Sequence, residues 1–235
     1  MGLPSASLLT RLNRRLHSYT LLPLSFRLKY GKLGKYLADS CYVPGWMFEN
    51  NSVALANAAY NLADDAIILE IGSFVGKSAI LLAGARKLRG SGKVHCVDPF
   101  DASGDPFSVP FYQRVAKRRR IPLVDWFKEN MRRCGLTDWV EIHQGTALEI
   151  RPDWTLPLDM LCLDGDQSPL GARATYDAYI PFLKTGGIIT LKNTSDRVYD
   201  EGHDGNRRIA VETIVEPQYT DITYVDDMTF ARKAF

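Results

Sequence analysis

Short apolar runs alternate with longer stretches of helical periodicity from residue 67 onward. The run 67–72 is almost wholly apolar and is closed by glycine, a pattern typical of a buried parallel strand. Four later runs share this character: 94–98, 140–143, 160–163 and 188–191. Because helical sequence separates these runs, the pattern predicts an α/β fold with an open, doubly wound, mostly parallel sheet. Ligands of such sheets bind at the carboxyl ends of the strands.

Helices are predicted between these strands and ahead of them. Their expected ranges are 52–62, 76–89, a stretch that ends at residue 134, 171–183 and 206–215, and glycine stop signals follow several of them. The tail alternates between apolar and polar residues over 222–231, which predicts a strand pair that closes the sheet with an antiparallel C-terminal strand.

Residues 1–60 are predicted to form a helical N-terminal extension of the main domain, which spans 61–235. Leu8, Leu9, Leu12 and Leu16 recur at helical spacing. This stripe has more apolar surface than a free tail should expose. We therefore expect the extension to make substrate contacts and to pack on a twofold-related subunit, so that the protein is a homodimer.

Composition suits one well-cored domain, because 46% of the 235 residues are hydrophobic. The four cysteines lie far apart with no C-x-x-C pair, which argues against a disulfide framework and a zinc site and favours a reducing compartment. No apolar run approaches the roughly 18 residues that span a bilayer. Neither a secretory signal nor a myristoylation pattern is recognisable, so a cytoplasmic location is expected.

Charge is unevenly distributed although the net charge is only +2. Residues 1–40 hold seven Lys or Arg against one acid, and a second basic cluster occupies 117–120. Both are interpreted as solvated helix faces, with contacts to an anionic substrate, partner or membrane surface as the alternative. The near-neutral total argues against nucleic acid as a partner.

The first strand leads into a glycine-containing turn, E-I-G-S-F-V-G-K-S over 70–78. Glycines at such a turn let the backbone approach a ligand, and the following helix offers unpaired N–H groups. The G-K-S ending suggests a phosphate loop, but three residues separate Gly72 from Gly76, where that motif requires four.

Asp98 ends the second strand and lies 22 residues beyond Gly76. An acid about 20 residues after the turn binds ribose hydroxyls in Rossmann-type sites. The G-x-G-x-x-G pattern of NAD sites is absent. The turn and the acid together therefore indicate a ligand with a carboxylate and a ribose, other than NAD; the alternative is a structural turn followed by a surface acid.

Four sequence blocks resemble class I S-adenosylmethionine-dependent methyltransferases. The blocks are E-I-G-S at 70–73, V-D-P-F at 97–100, L-D-G-D at 163–166 and P-F-L-K-T-G-G-I-I at 181–189. The resemblance covers about 43–233 and is to the small-molecule O-methyltransferase branch, which includes catechol, caffeoyl-CoA and macrolide-sugar enzymes. It implies a Rossmann-like fold with S-adenosyl-L-methionine as the cofactor.

The resemblance also implies roles for matching residues. The turn at Gly72 and Ser73 would hold the methionine part of the cofactor, and Asp98 would accept hydrogen bonds from both ribose hydroxyls. Gln144 and Thr146 would edge the adenine, although ordinary turn chemistry explains them equally well. The full predicted cofactor set is Glu70, Gly72, Ser73, Gly76, Ser78, Asp98, Gln144, Thr146 and Asp164.

Catechol-type enzymes hold a divalent cation with an Asp after the fourth strand and an Asp-Asn pair after the fifth. Asp164 and Asn193 match this pattern, but Lys192 stands where the second acid should be. A hard cation prefers oxygen ligands, so an ammonium there argues against a tightly bound metal. We expect Lys192 to replace the cation's charge and to form a salt bridge with Asp164; the alternative is a Lys192 that points to solvent.

The histidine base of related branches is also missing from its usual positions. His203, with Asp204 beside it in a polar loop, is the nearest substitute, although a single loop histidine is often simply exposed. Asp164, Lys192 and His203 are therefore the predicted catalytic residues.

The leading hypothesis is O-methylation of a hydroxyl on a small molecule, such as a natural product or a sugar. N-methylation needs less help from a base and is the first alternative. A cofactor-binding protein that has lost transfer chemistry is the second alternative. RNA methylation, which would use the cluster at 117–120, is the third.

Overall fold

The computed structural model describes residues 22–196 and 202–235, whose strands form one seven-stranded sheet. The strands are β1 (Ile67–Ile71), β2 (Lys93–Asp98), β3 (Val140–Gln144), β4 (Leu158–Leu163), β5 (Leu183–Lys192), β6 (Tyr219–Val225) and β7 (Met228–Lys233). Their order is β3-β2-β1-β4-β5-β7-β6, parallel from β3 to β5, with β7 antiparallel to both of its neighbours. The predicted Rossmann-like, mostly parallel sheet with an antiparallel C-terminal strand is confirmed.

Nine α-helices lie within the described ranges. They are α1 (Leu22–Tyr30), α2 (Gly34–Ser40), α3 (Glu49–Tyr60), α4 (Lys77–Arg89), α5 (Val109–Arg119), α6 (Leu123–Cys134), α7 (Ala147–Ile150), α8 (Pro169–Tyr179) and α9 (Gly205–Glu212). Turns of 3-10 helix cover Gly31–Leu33, Thr137–Trp139, Arg151–Asp153 and Ile180–Phe182. None of the helices in this part of the chain is long and apolar enough to cross a membrane.

The central strand β1 is buried on both faces. Ile68 belongs to a core cluster with Leu81 of α4 and Phe127 of α6, whereas the adjacent Leu69 belongs to a second cluster with Trp154. Successive side chains of a strand point to opposite faces, so the two clusters are the two layers that sandwich the sheet. This arrangement explains why the strand sequence is an almost continuous apolar run.

The N-terminal helices share the first of these two clusters. Tyr36 and Leu37 of α2 and Leu55 of α3 are buried in the cluster that contains Ile68. A Cβ on Gly84 of α4 would lie 2.2 Å from the Tyr36 ring, so α2 rests directly on α4. Helices α2 and α3 therefore pack on α4, which covers this face of the sheet, while the leucine stripe at 8–16 lies outside the described residues.

The helical stretch predicted to end at residue 134 consists of two helices, α5 and α6. Pro122 disfavours helical backbone in the residue before it, which ends the first helix. Arg120 adopts a φ of 55° at this break. The second helix then ends at Gly135, as predicted.

The boundary between α8 and β5 also differs from the prediction. The helix ends at Tyr179 rather than at residue 183, because Pro181 has no N–H to continue it. The predicted glycine stop at 186–187 lies inside β5, where Gly186 has a φ of 77° and the register with β4 shifts. Strand β5 therefore begins five residues before its predicted start at residue 188.

The strand order places three predicted site residues at one edge of the sheet. The chain winds from β1 outward to β3 on one side and from β4 outward to β5 on the other, which opens a crevice at their carboxyl ends. Asp98 ends β2, Asp164 follows β4, and Lys192 ends β5. This switch point defines where a site is expected.

Arg86 of α4 is a buried cation whose hydrogen bonds go to backbone carbonyls. Its guanidinium donates to the carbonyls of Ala59, Ala63 and Ser91 at 2.8–2.9 Å, and the side chain has 0% exposure. These carbonyls belong to the end of α3, the loop before β1 and the loop before β2. Arg86 therefore ties three segments that bring the chain into the sheet.

We expect Arg86→Ala to lower the free energy of unfolding by about 3 kcal/mol or more, because each buried carbonyl left without a donor costs roughly 1–3 kcal/mol. Urea unfolding followed by circular dichroism measures this change. Arg89→Ala is the matched control: its exposed ion pair with Asp64 should contribute about 1 kcal/mol or less. Equal destabilisation by the two variants would contradict this role of Arg86.

Candidate active site

The site begins where the backbone of Gly72 meets the backbone after β4. Gly72 has a φ of 90°, and a Cβ on it would lie 2.2 Å from the carbonyl oxygen of Asp164. Two hydrogen bonds fix this approach: Gly72 N–H donates to the Val97 carbonyl, and Asp164 N–H donates to the Ile71 carbonyl, both at 2.9 Å. The ends of β1, β2 and β4 are thus joined at one point, which only glycine allows.

A cleft of about 350 Å³ opens beside this junction. Its polar lining includes Asp98, Thr146 and Asp164, and its apolar lining includes Val97 and Leu148. The size and mixed lining are those of a small-molecule site. Three of the predicted cofactor residues, in addition to Gly72, therefore face one cavity.

Asp98 organises the floor of this cleft. Its two carboxylate oxygens accept hydrogen bonds from the N–H groups of Phe74 and Phe100, each at 2.7 Å. Burial raises the pKa of Asp98 above its usual range, although these backbone donors oppose the shift. A carboxylate has about four lone-pair positions, so acceptor capacity remains for the hydroxyls of a ligand.

Thr146 begins α7 with a capping box. Its hydroxyl accepts from Glu149 N–H at 3.3 Å, and the Glu149 carboxylate accepts from Thr146 N–H at 2.8 Å. The turn-chemistry interpretation of Thr146 is therefore correct, and the residue also lines the cleft. Gln144 is exposed at the end of β3, where its amide approaches the Pro99 carbonyl at 3.4 Å.

Glu70 and Gly76 support the glycine turn through buried contacts. Glu70 is 1% exposed and accepts a hydrogen bond from the Ser73 hydroxyl. Burial raises the pKa of Glu70 to about 7. A Cβ on Gly76 would lie 2.5 Å from Met131, so this glycine allows α6 to pack. Neither residue lines the cleft.

The lysine of the G-K-S sequence donates hydrogen bonds to the N-terminal segment. Lys77 donates to the carbonyls of Ser40 and Val43 at 3.0 and 3.1 Å. Its ammonium therefore anchors the loop after α2. This contact agrees with the rejection of a phosphate loop on spacing.

A second, smaller cavity adjoins the cleft. It shares Gly72, Phe74, Tyr112 and Asp164 with the larger one and is also bounded by the 44–47 loop. The remaining polar residues of its lining are Ser73, Lys77, Ser78, Ser108, Gln167, Lys192 and Asn193. Asp164 thus lies where the two cavities meet.

Aromatic rings surround this smaller cavity. Trp46 packs on Phe111 with ring centroids 4.3 Å apart, and Phe74 packs on Tyr112 at 4.7 Å. Trp46 comes from the segment before α3, whereas Phe111 and Tyr112 belong to α5. The wall is therefore built by segments outside the sheet.

Lys192 is 2% exposed and forms its salt bridge with Asp227 in the turn between β6 and β7. Asn51 of α3 donates to the other oxygen of Asp227 at 2.8 Å. The predicted salt bridge to Asp164 is wrong, and so is the solvent-pointing alternative. The reason is register: Lys192 is paired with Met228, which brings the neighbouring Asp227 to the ammonium.

Asp164 consequently has no direct ion-pair partner among the described residues. Burial raises the pKa of Asp164 to about 8; the charge of Lys192 opposes this shift, and the acids Glu70, Asp227 and Asp105 add to it. Its one close polar neighbour is the Gln167 amide at 3.4 Å. A carboxylic acid in this state gains its charge readily when a cation binds beside it.

His203 is buried, so the exposed-loop interpretation is wrong. Its Nδ1 lies 2.9 Å from Asp105 Oδ1, and its Nε2 lies 3.4 Å from the Asn193 amide nitrogen, which borders the smaller cavity. Burial alone would raise the pKa of Asp105, but the hydrogen bonds from His203 and Ser108 outweigh it, and the pKa is lowered. The carboxylate beside the imidazole is thus Asp105, while the predicted neighbour Asp204 accepts from Arg208.

Sequence reasoning missed Asp105 and Asp227. Asp105 lies in a loop that contains Asp, Gly and Pro, and Asp227 follows Asp226 in a tight turn, so turn chemistry explains an acid at either position. Their partners lie 98 and 35 residues away along the chain. No local pattern links residues so distant.

A Rossmann-like sheet whose switch point carries an acid at the end of β2 and another after β4 is typical of class I S-adenosylmethionine-dependent methyltransferases. A family model described as "Methyltransferase domain" matches residues 69–194, more than half of the chain. The protein belongs to this methyltransferase family, and S-adenosylmethionine is its cofactor.

Solved structures share the fold over most of their length. The O-methyltransferase TomG from Streptomyces achromogenes, in complex with S-adenosylmethionine, is 20% identical with a TM-score of 0.61, over 91% of this chain and 96% of that one. A methyltransferase from Podospora anserina bound to S-adenosylhomocysteine is 13% identical with a TM-score of 0.60, over the whole of both chains. An rRNA methylase from Streptococcus thermophilus is 11% identical with a TM-score of 0.55, over 81% of this chain and 100% of that one. At these identities the likeness extends to the fold alone.

We expect S-adenosylhomocysteine to raise the melting temperature of the protein, and Asp98→Ala to remove most of that shift. A ligand that binds only the native state stabilises it, and Asp98 offers the free lone pairs at the floor of the cleft. Differential scanning fluorimetry, with each variant compared with its own ligand-free melting temperature, measures the effect. Asp138→Ala, at an exposed acid outside the cleft, should leave the shift unchanged. A larger shift with ATP or NAD would contradict the cofactor assignment.

Proposed function

We propose that this enzyme methylates a hydroxyl oxygen of a small molecule, such as a natural product or a sugar, without a tightly bound metal. The observation that carries the proposal is the position of Asp164 between two cavities. The larger cavity has the size of a cofactor site, and the smaller one leads to the buried His203–Asp105 pair by way of Asn193. Donor and acceptor would therefore meet beside Asp164.

The residues of the larger cavity suit the cofactor. Asp98 would accept from the ribose hydroxyls, and Thr146 with Leu148 would border the adenine. Gly72 lines both cavities and would border the methionine part, with Ser73 and Ser78 beside it in the lining of the smaller cavity. When bound, S-adenosylmethionine supplies a methyl group on a cationic sulfur, and Asp164 is the carboxylate that would lie near that charge.

His203 is the proposed base. Asp105 accepts from one imidazole nitrogen, which fixes the ring so that the other nitrogen faces the cavity side at Asn193. A histidine oriented by a buried carboxylate can take a proton from an acceptor hydroxyl. Asp105 acts as a positioning residue in this scheme.

Lys192 is proposed to supply positive charge beside the acceptor oxygen as that oxygen loses its proton. Its pairing with Asp227 and the further hydrogen bond from Asn51 hold the ammonium at the cavity wall. The same ammonium occupies the position of a carboxylate ligand in metal-dependent relatives. Oxygen donors are what a hard cation needs, so this donor set does not fit a magnesium site.

N-methylation remains the first alternative, because an amine acceptor needs less help from a base. The buried His203–Asp105 pair favours an oxygen acceptor, because a hydroxyl benefits more from a base than an amine does. RNA methylation rests on Lys117 to Arg120, and Arg119 of this cluster is engaged with Glu129 and the Trp126 ring. Assembly as a homodimer and a cytoplasmic location remain predictions.

We expect His203→Ala to lower kcat by about 10²-fold or more, the usual contribution of a positioned base. Assays of methyl transfer to a panel of phenols, sugars and amines, with the released S-adenosylhomocysteine as the readout, measure the effect. The melting-temperature shift with S-adenosylhomocysteine should stay unchanged, which separates loss of chemistry from loss of cofactor binding. Asp105→Asn should give a smaller loss of kcat. Full activity in His203→Ala on a hydroxyl acceptor, or turnover of amines alone, would contradict the proposal.

We expect activity in EDTA to stay within about twofold of the untreated enzyme, because an ammonium replaces one carboxylate ligand. Magnesium should not raise the melting temperature of the natural protein. Lys192→Asp restores the oxygen ligand, so magnesium should stabilise that variant. Activity that is lost in EDTA and recovered on adding magnesium would instead indicate the catechol-type metal mechanism.

A further inference from the structure

Two histidines and a glutamate converge on the outer strands of the sheet, apart from the site described above. His95 lies on β2, and Glu141 and His143 lie on β3. The parallel register pairs His95 with Glu141, and His143 lies two residues farther along the same face. None of the three lines either cavity of the active site.

The three side chains present ligand atoms to one another. His95 Nδ1 lies 2.9 Å from His143 Nε2, and Glu141 carboxylate oxygens lie 3.9 Å from each of these nitrogens. All three ligand atoms are within 4.8 Å of one another. A tetrahedral zinc ion with bonds of about 2.0–2.1 Å requires ligand atoms roughly 3.3 Å apart. The observed spacings of 2.9 and 3.9 Å lie below and above that value, so small side-chain rotations would bring the three ligand atoms to the separations that zinc requires.

The surroundings suit a bound ion. His95 is buried, His143 is half-buried, and Glu141 is exposed, so an ion can enter from the solvent side. The Trp154 ring packs edge-on against both imidazoles at 5.1 and 5.7 Å, which limits their rotation. Ligands held by rigid neighbours lose little conformational freedom when the ion binds.

We propose that His95, Glu141 and His143 form a binding site for a divalent transition-metal ion of the zinc class. Two imidazoles and one carboxylate are a common zinc ligand set, and the fourth position would be left to water. The cysteine spacing argued against a zinc site, but that argument concerns thiolate ligands, whereas this site uses histidines from two different strands. The ion would cross-link β3, the edge strand, to β2. The ion would also hold the end of β3, because Gln144, the last residue of this strand before the loop to the cofactor cleft, directly follows His143.

The test is zinc titration by calorimetry, with the apparent affinity confirmed by a competing chelator. The background protein carries Cys41→Ser, which removes an exposed thiol, and His17→Ala, which removes a histidine outside the described residues. We expect one zinc per chain and a higher melting temperature with zinc. Both Glu141→Gln and His143→Ala should weaken binding by about tenfold or more. Glu141 is exposed, so its variant tests the site even if His143→Ala folds poorly.

Glu212→Gln, at an exposed acid of α9, is the matched control and should bind zinc like the background protein. Cobalt in place of zinc should give the visible absorption of a four-coordinate ion, and Glu141→Gln should need about tenfold more cobalt or more to reach the same absorption. Unchanged zinc affinity in Glu141→Gln and His143→Ala would overturn the proposal, as would affinity weaker than about 1 mM. Loss of zinc binding in Asp164→Asn alone would place the ion at the reaction centre and would also overturn it. The proposal is independent of the methyl acceptor.

Discussion

The close approach of Gly72 to the Asp164 backbone is the constraint around which the active site is built. A side chain at residue 72 would collide with a carbonyl oxygen, and the positive φ of this residue would be strained for any other amino acid. Without this contact, the ends of β1 and β4 would separate. The cleft beside Asp98 and the smaller cavity beside Lys192 would then no longer meet at Asp164. The absence of a Cβ at this one residue thus lets the two cavities share a wall.

Charge around that wall is arranged unevenly. Lys192 forms its direct ion pair with Asp227, and burial raises the pKa of Asp164 to about 8, although the charge of Lys192 opposes this shift. Ionising such a group is unfavourable until positive charge arrives in the cleft. A cationic ligand therefore interacts with Asp164 more strongly than a neutral ligand of the same shape would. This difference is physically suited to an enzyme that binds a sulfonium and releases a neutral thioether.

Segments ahead of the sheet complete the smaller cavity. Lys77 anchors the loop after α2, and Asn51 of α3 holds the Asp227 carboxylate that in turn holds Lys192. Trp46 from the same region packs on Phe111 of α5. The smaller cavity therefore depends on helices and loops outside the sheet, whereas the cleft depends on the ends of the strands themselves.

The sequence by itself determined that the sheet is doubly wound and mostly parallel, because the apolar runs alternate with helical sequence. It also located the glycine turn and the acids Asp98 and Asp164, because each follows from a local pattern at the end of a strand. Burial of both sheet faces makes the strands continuous apolar runs, so they are readable without any tertiary information. Only the tertiary structure decided the partners of the buried charges. Asp227 reaches Lys192 through the antiparallel register of β5 with β7, and Asp105 reaches His203 across 98 residues. His95 and His143 meet through the register of β2 with β3. Such pairings depend on how distant strands and loops align, and neither periodicity nor spacing along the chain records that alignment.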